Sequence, residues 1–124
     1  MANEDLLLRQ MPHSLEGEQA VLGSMLIDSG CVRRVAAILR ESDFSVALNQ
    51  DLYRVIVTMD RDGQPIDGLT VCAEALRQSL AEEKTLRKYL AQLMEITPTA
   101  ANVEMYADIV ARTARRRELK TALE

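Results

Sequence analysis

Apolar residues in this chain recur every three or four positions, and nowhere do apolar and polar residues alternate with period two for more than a few residues. A helix brings positions i, i+3, i+4 and i+7 onto one face, whereas a half-buried strand needs alternation. The pattern therefore predicts an all-α fold. Its clearest instance is residues 11–28, with Pro12 and Ser14 at the head and Asp28 at the tail. The Ser14 hydroxyl is placed to accept from an orphan backbone N–H, and Glu16 and Glu18 favour the positive end of the helix dipole. Leu15, Leu22 and Leu26, flanked by Val21 and Met25, form a stripe that must be buried against other helices.

The rest of the chain supplies those helices. Asp28-Ser29-Gly30 breaks the first, and Ser29 is placed to cap a second over 30–40, striped by Val32, Val35, Ala36 and Leu39. Residues 42–45 read as a turn from which Phe44, the lone phenylalanine, plugs the core. Asn49 reads as the cap of a third helix over 50–61, with Leu52, Val55, Ile56 and Met59 on one side. Gly63 suits a left-handed stop and Pro65 forbids continuation. Asp67 or Thr70 then caps a fourth helix over 69–79, with Leu69, Cys72, Ala73 and Leu76 spaced for burial. A fifth over 84–95 is striped by Leu86, Leu90, Leu93 and Met94, and Pro98 stops it. Asn102 sits near the cap of a long sixth helix with the stripe Val103, Tyr106, Ala107, Val110 and Ala114. The expected architecture is a compact bundle of about six helices. Residues 1–11, which carry neither cap nor period, are expected to be a flexible arm.

At 124 residues the chain is long enough for one domain with a real core. With no Trp, one Phe and three Tyr, that core must be aliphatic. Cys31 and Cys72 lie in apolar helical patterns without CxxC or Cys/His context, so both read as small buried hydrophobes. The acidic start and short Leu6-Leu7-Leu8 do not make a signal peptide, and no apolar run approaches the ~20 residues that span a bilayer. A soluble, cytoplasmic protein without membrane contact is expected.

Charge is unevenly spread. Residues 112–124 carry five basic and two acidic side chains, so the preceding residues hold −7 of the net −4. An acidic body argues against gripping a phosphate backbone, because affinity for nucleic acid comes mostly from cationic contacts. No catalytic apparatus is legible either. The five glycines form neither GxxxxGK[ST] nor GxGxxG. His13 lacks a paired Asp or Cys and reads as a surface or cap-region residue. The neighbouring carboxylates Glu16/Glu18, Asp60/Asp62 and Glu82/Glu83 do not face one another on a helix and read as solvated charge. No catalytic, cofactor-binding or metal-binding residue is expected.

Arg115-Arg116-Arg117 invites two readings, a nucleic-acid or acidic-partner contact, or favourable charge near a helix C-terminus together with a solvated face. Three successive positions span about 200° of a helix, so they cannot all serve one partner. Arg117 continues the Val103/Val110/Ala114 stripe, which places the end of the globular core near residue 115.

These stretches together resemble the N-terminal domain of DnaB-type replicative DNA helicases. The specific ones are Pro12-His-Ser-Leu-Glu-Gly-Glu-Gln-Ala-Val-Leu-Gly23 and Thr97-Pro-Thr-Ala-Ala-Asn-Val-Glu-Met-Tyr-Ala-Asp-Ile-Val110, the latter followed by Arg117-Glu-Leu119. Asp43-Phe44, Gly63-Gln-Pro-Ile-Asp67 with Thr70, and Tyr89-Leu90 support them in the family's order. The resemblance implies a helical domain at 12–115 and, at 116–124, the start of a linker helix entering a helical hairpin. It further implies pairing into a collar, a trimer of dimers within a hexamer, that docks primase and a helicase loader. ATP and magnesium then belong to an ATPase domain absent from this chain, which needs no cofactor of its own. The chain departs from the family between helices four and five, where Gln78-Ser-Leu-Ala-Glu-Glu-Lys-Thr85 lacks the usual glycine-rich turn, so the two helices are expected nearly to fuse.

Two other functions compete. A stand-alone or primase-derived helicase-interaction module would suit an equally acidic helical body. A helix-turn-helix DNA-binding regulator would need a basic recognition helix, and helix four carries only Arg77 against Glu74. Arg116, Leu119 and Leu123 are the candidate interaction residues on the last helix.

Overall fold

A computed structural model of the chain describes residues 14–123, with side chains described for 15–122. The expectations for the 1–11 arm, for His13 and for the Ser14 cap therefore lie outside the described residues. Six α-helices follow in order: α1 (Ser14–Ile27), α2 (Val32–Ile38), α3 (Ala47–Arg61), α4 (Gly68–Arg77), α5 (Glu83–Glu95) and α6 (Val103–Leu123), with 3-10 turns at Ser29–Cys31 and Glu41–Asp43. Among the described residues there is no strand, as the periodicity requires.

Helix α1 is the central element, packed against α6, α5 and α3. Helix α2 bridges α6 and α3, and α4 lies between α3 and α5. Val21, Leu22, Met25, Leu52, Ile56, Leu86, Leu93, Ala107 and Val110 join one aliphatic core. Phe44 does plug it from the loop, its ring 4.7 Å from that of Tyr53. Both cysteines are buried and free, and burial pushes the Cys31 thiol up to about 11.

Several ends differ from the sequence reading, each for a local reason. Leu15 is 43% exposed rather than part of the buried stripe, because α1 turns its first residues outward before the core begins. Asp28, not Ser29, accepts from the Gly30 amide at 3.0 Å, and a 3-10 turn precedes a shorter α2 ending at Ile38. Helix α3 begins at Ala47, so Asn49 is not its cap; its side chain turns inward to a buried carboxylate instead. At the other end of α3, Gly63 adopts φ +71 and the Gln64 amide reaches back to the Met59 carbonyl at 2.9 Å, the left-handed stop expected there.

Asp67 and Thr70 cap α4 reciprocally. The Thr70 amide donates to Asp67 Oδ1 at 2.8 Å and the Asp67 amide donates to Thr70 Oγ1 at 2.9 Å. With α4 set by that cap, Leu69 and Ala73 face outward, and Val71, Cys72 and Ala75 take the buried positions.

Helices α4 and α5 do not fuse. Ser79 adopts φ 57, and the Leu80 amide closes the end of α4 on the Ala75 carbonyl at 3.1 Å. Serine thus performs the turn that glycine would perform without a Cβ penalty, which for an L-residue is about 1 kcal/mol. Ser79→Gly is expected to stabilise the fold by about 0.5 kcal/mol, since the relief exceeds glycine's greater unfolded-state freedom. Urea denaturation followed by circular dichroism checks this.

Candidate interaction surface

The last helix, α6, carries all three candidate residues. Helix α6 runs 21 residues, and its buried residues end with Ala114. At about 100° per residue, Arg116, Leu119 and Leu123 gather on the side of α6 opposite Ala114. Arg116 is exposed and makes no hydrogen bond or ion pair with the described residues, and Leu119 is 63% exposed. The Leu123 side chain lies outside the described residues.

The arginine run divides by angle, as its spacing requires. Arg115 Nη1 donates to Asp43 Oδ1 at 2.9 Å, and Arg117 Nη2 donates to the Asp43 carbonyl at 2.8 Å. Only Arg116 points away. Two of the three arginines are therefore structural, fastening α6 to the turn at Glu41–Asp43. Burial would raise the Asp43 carboxyl, but hydrogen bonds from Arg115 and the Arg40 amide, with the charges of both arginines, outweigh it and hold the group below its ordinary 3.8. A carboxyl depressed in the folded state adds stability that is complete above its unfolded pKa, about 4, and is lost as pH falls through the folded value. The stability gap between wild type and Asp43→Asn is thus expected to be full at neutral pH and to close below about pH 4, which chemical denaturation across that range checks.

A second surface was missed by spacing alone. Gly68, Leu69, Cys72, Leu90, Ala91 and Met94 line an apolar groove of about 390 Å³ between α4 and α5. Leu69, at 76% exposed, forms its lip. The signal lay in the Asp67/Thr70 cap, which sets the rotation of α4 and with it the direction of Leu69.

Glu16 and Glu18 also separate. Glu16 is exposed, whereas Glu18 is fully buried and is not solvated charge. Its carboxylate accepts from the Ser45 amide at 2.9 Å, the Ser45 hydroxyl at 2.6 Å and Asn49 Nδ2 at 3.0 Å, while Tyr89 donates to Asn49 Oδ1. This network ties α1 to the loop before α3, to α3 itself and to α5. Among the described residues every buried side-chain nitrogen and oxygen has a partner, and no three His, Cys, Asp or Glu side chains converge as a metal site. No helix among them is long and apolar enough to cross a membrane.

A strand-free bundle whose terminal helix outruns its core defines an all-α domain with an extended stalk helix. Residues 10–112 match the family described as DnaB-like helicase N terminal domain, and the chain belongs to that family. It is 38% identical over 112 residues to the replicative DNA helicase DnaB of Geobacillus stearothermophilus and 40% identical over 114 residues to that of Mycobacterium leprae. Those matches cover 90% and 92% of this chain but 25% and 19% of the relatives, so the chain spans a quarter or less of their lengths. The fold is similar to the crystal structure of the N-terminal domain of DnaB helicase from Mycobacterium tuberculosis, with a TM-score of 0.82, 38% identity and coverage of 91% of this chain and 82% of that one. The corresponding domain from Helicobacter pylori, described together with its interactions with primase, shares the fold at a TM-score of 0.74 and 19% identity, over 94% of this chain and 89% of that one.

Proposed function

We propose that this chain is the assembly and partner-docking domain of a cytoplasmic replicative DNA helicase. In this reading it helps to form a hexamer collar, as a trimer of dimers, and presents a platform to primase and to a helicase loader during DNA replication. Unwinding, with ATP and magnesium, belongs to an ATPase domain beyond this segment. The family match over 10–112 carries the reading. The outward-facing Arg116 and Leu119 support self-association through α6, and the net charge of −4 supports protein partners over DNA.

Sedimentation of the chain across concentration, with an anisotropy titration of labelled duplex DNA at physiological salt, tests this. The expected result is weak self-association that Leu119→Ala reduces, with no saturable DNA binding. Tight duplex binding by a chain that stays monomeric contradicts it.

A further inference from the structure

Helix α6 is held in two different ways along its length. Up to Ala114 its inward face is packed into the core through Val103, Ala107 and Val110. Beyond Ala114 no described residue of α6 is buried, and polar contacts to a single short turn take over. We propose that Asp43 is a latch that fixes the direction in which the last turns of α6 leave the helical body, with Arg115 and Arg117 as its two jaws.

The geometry is that of a clasp. The Asp43 carboxylate is fully enclosed and accepts at once from the Arg40 amide at 2.8 Å and from Arg115 Nη1 at 2.9 Å. Arg117 takes the carbonyl of the same residue at 2.8 Å, so one turn residue is gripped through both its side chain and its backbone. Positions 115 and 117 lie about 200° apart around α6, so their side chains reach the turn from two sides of the helix. Glu118 completes the clasp, pairing with Arg40 at 3.0 Å and with Arg115 at 3.1 Å. An isolated surface ion pair contributes little because both ends are solvated. Here the acidic end is buried and the turn that carries it is anchored by Phe44 in the core, so the contact transmits orientation from the body to the stalk. The core under α6 ends before the latch begins. Opening the latch therefore frees the stalk without unpacking the body. The device rests on contacts within this one chain and does not depend on the proposed function.

Hydrogen exchange of the intact chain tests the latch, comparing wild type with Asp43→Asn, Arg115→Gln and Arg116→Gln. Amides of residues 116–122 are expected to exchange at least tenfold faster in Asp43→Asn and Arg115→Gln, and by a larger factor than those of Leu22, Met25 and Leu26 on α1, which report any loss of global stability. Arg116→Gln is expected to match wild type. Arg115 is half exposed, so its replacement keeps the test available should Asp43→Asn fail to fold. Equal exchange at 116–122 in wild type and Arg115→Gln, or a loss of protection as large in α1 as at 116–122, would overturn the proposal.

Discussion

Gly23→Ala is expected to destabilise the fold by about 2 kcal/mol, although alanine is the better helix former. Gly23 lies mid-way along α1 where that helix crosses the end of α5. A Cβ there would stand 2.1 Å from Thr97 Oγ1 and 2.5 Å from the Leu93 carbonyl oxygen. The hydroxyl cannot simply rotate away, because it donates to that same carbonyl at 2.8 Å and is buried. Nor can the carbonyl move without shifting the last turn of α5. Overpacking of a tight contact costs up to about 3 kcal/mol, and the propensity gain from glycine to alanine returns about 1 kcal/mol. The clash wins. Thr97→Ala in the same chain is expected to recover only part of the loss, since the Leu93 carbonyl still obstructs the methyl. A Gly23→Ala protein as stable as wild type in urea would show that α1 and α5 are not in this close contact.

Glu18→Ala is expected to cost about 3 kcal/mol, against a change within about 0.5 kcal/mol for Glu16→Ala. Removing the buried carboxylate strands the Ser45 amide and Asn49 Nδ2 as donors without an acceptor, at about 1–3 kcal/mol each. Asn49 would then release Tyr89, so the damage passes from α1 to α3 and α5. Glu18→Gln is expected to fall between the two. Its amide oxygen still accepts from Ser45, but its amide hydrogens then confront those of Asn49. Denaturation of all three variants side by side gives the ranking, and equal losses for Glu16→Ala and Glu18→Ala would refute the network.

Helix order and most of the core were legible in the sequence, because apolar spacing and the punctuation at Gly63, Pro65, Asp67 and Pro98 are local signals. What was not legible depended on partners far along the chain. Glu16 and Glu18 look alike two positions apart, yet only Glu18 meets Ser45 and Asn49, 27 and 31 residues away. A clue did exist. From Val21 to Leu26 every residue of α1 is apolar or small, the mark of a helix enclosed on all sides rather than on one stripe. Asn49 was misread for the same reason, since cap statistics describe isolated helix ends and here a buried acceptor claims the side chain. The angular spread of the arginine run does keep all three from serving one partner, since Arg116 points away, yet Arg115 and Arg117 converge on the same residue. That shared partner, the turn residue Asp43, is set by the way α2 returns the chain beneath α6. Ser79 shows the converse: the glycine-free corner concealed a turn, because serine there takes the left-handed conformation.

The central claim, that this is a docking domain for a protein of the replication machinery, is tested most directly by calorimetric titration of the chain with the helicase-binding domain of primase from the same organism. The account predicts saturable binding at physiological salt. An absence of binding to that domain, together with saturable binding to duplex DNA, would contradict it.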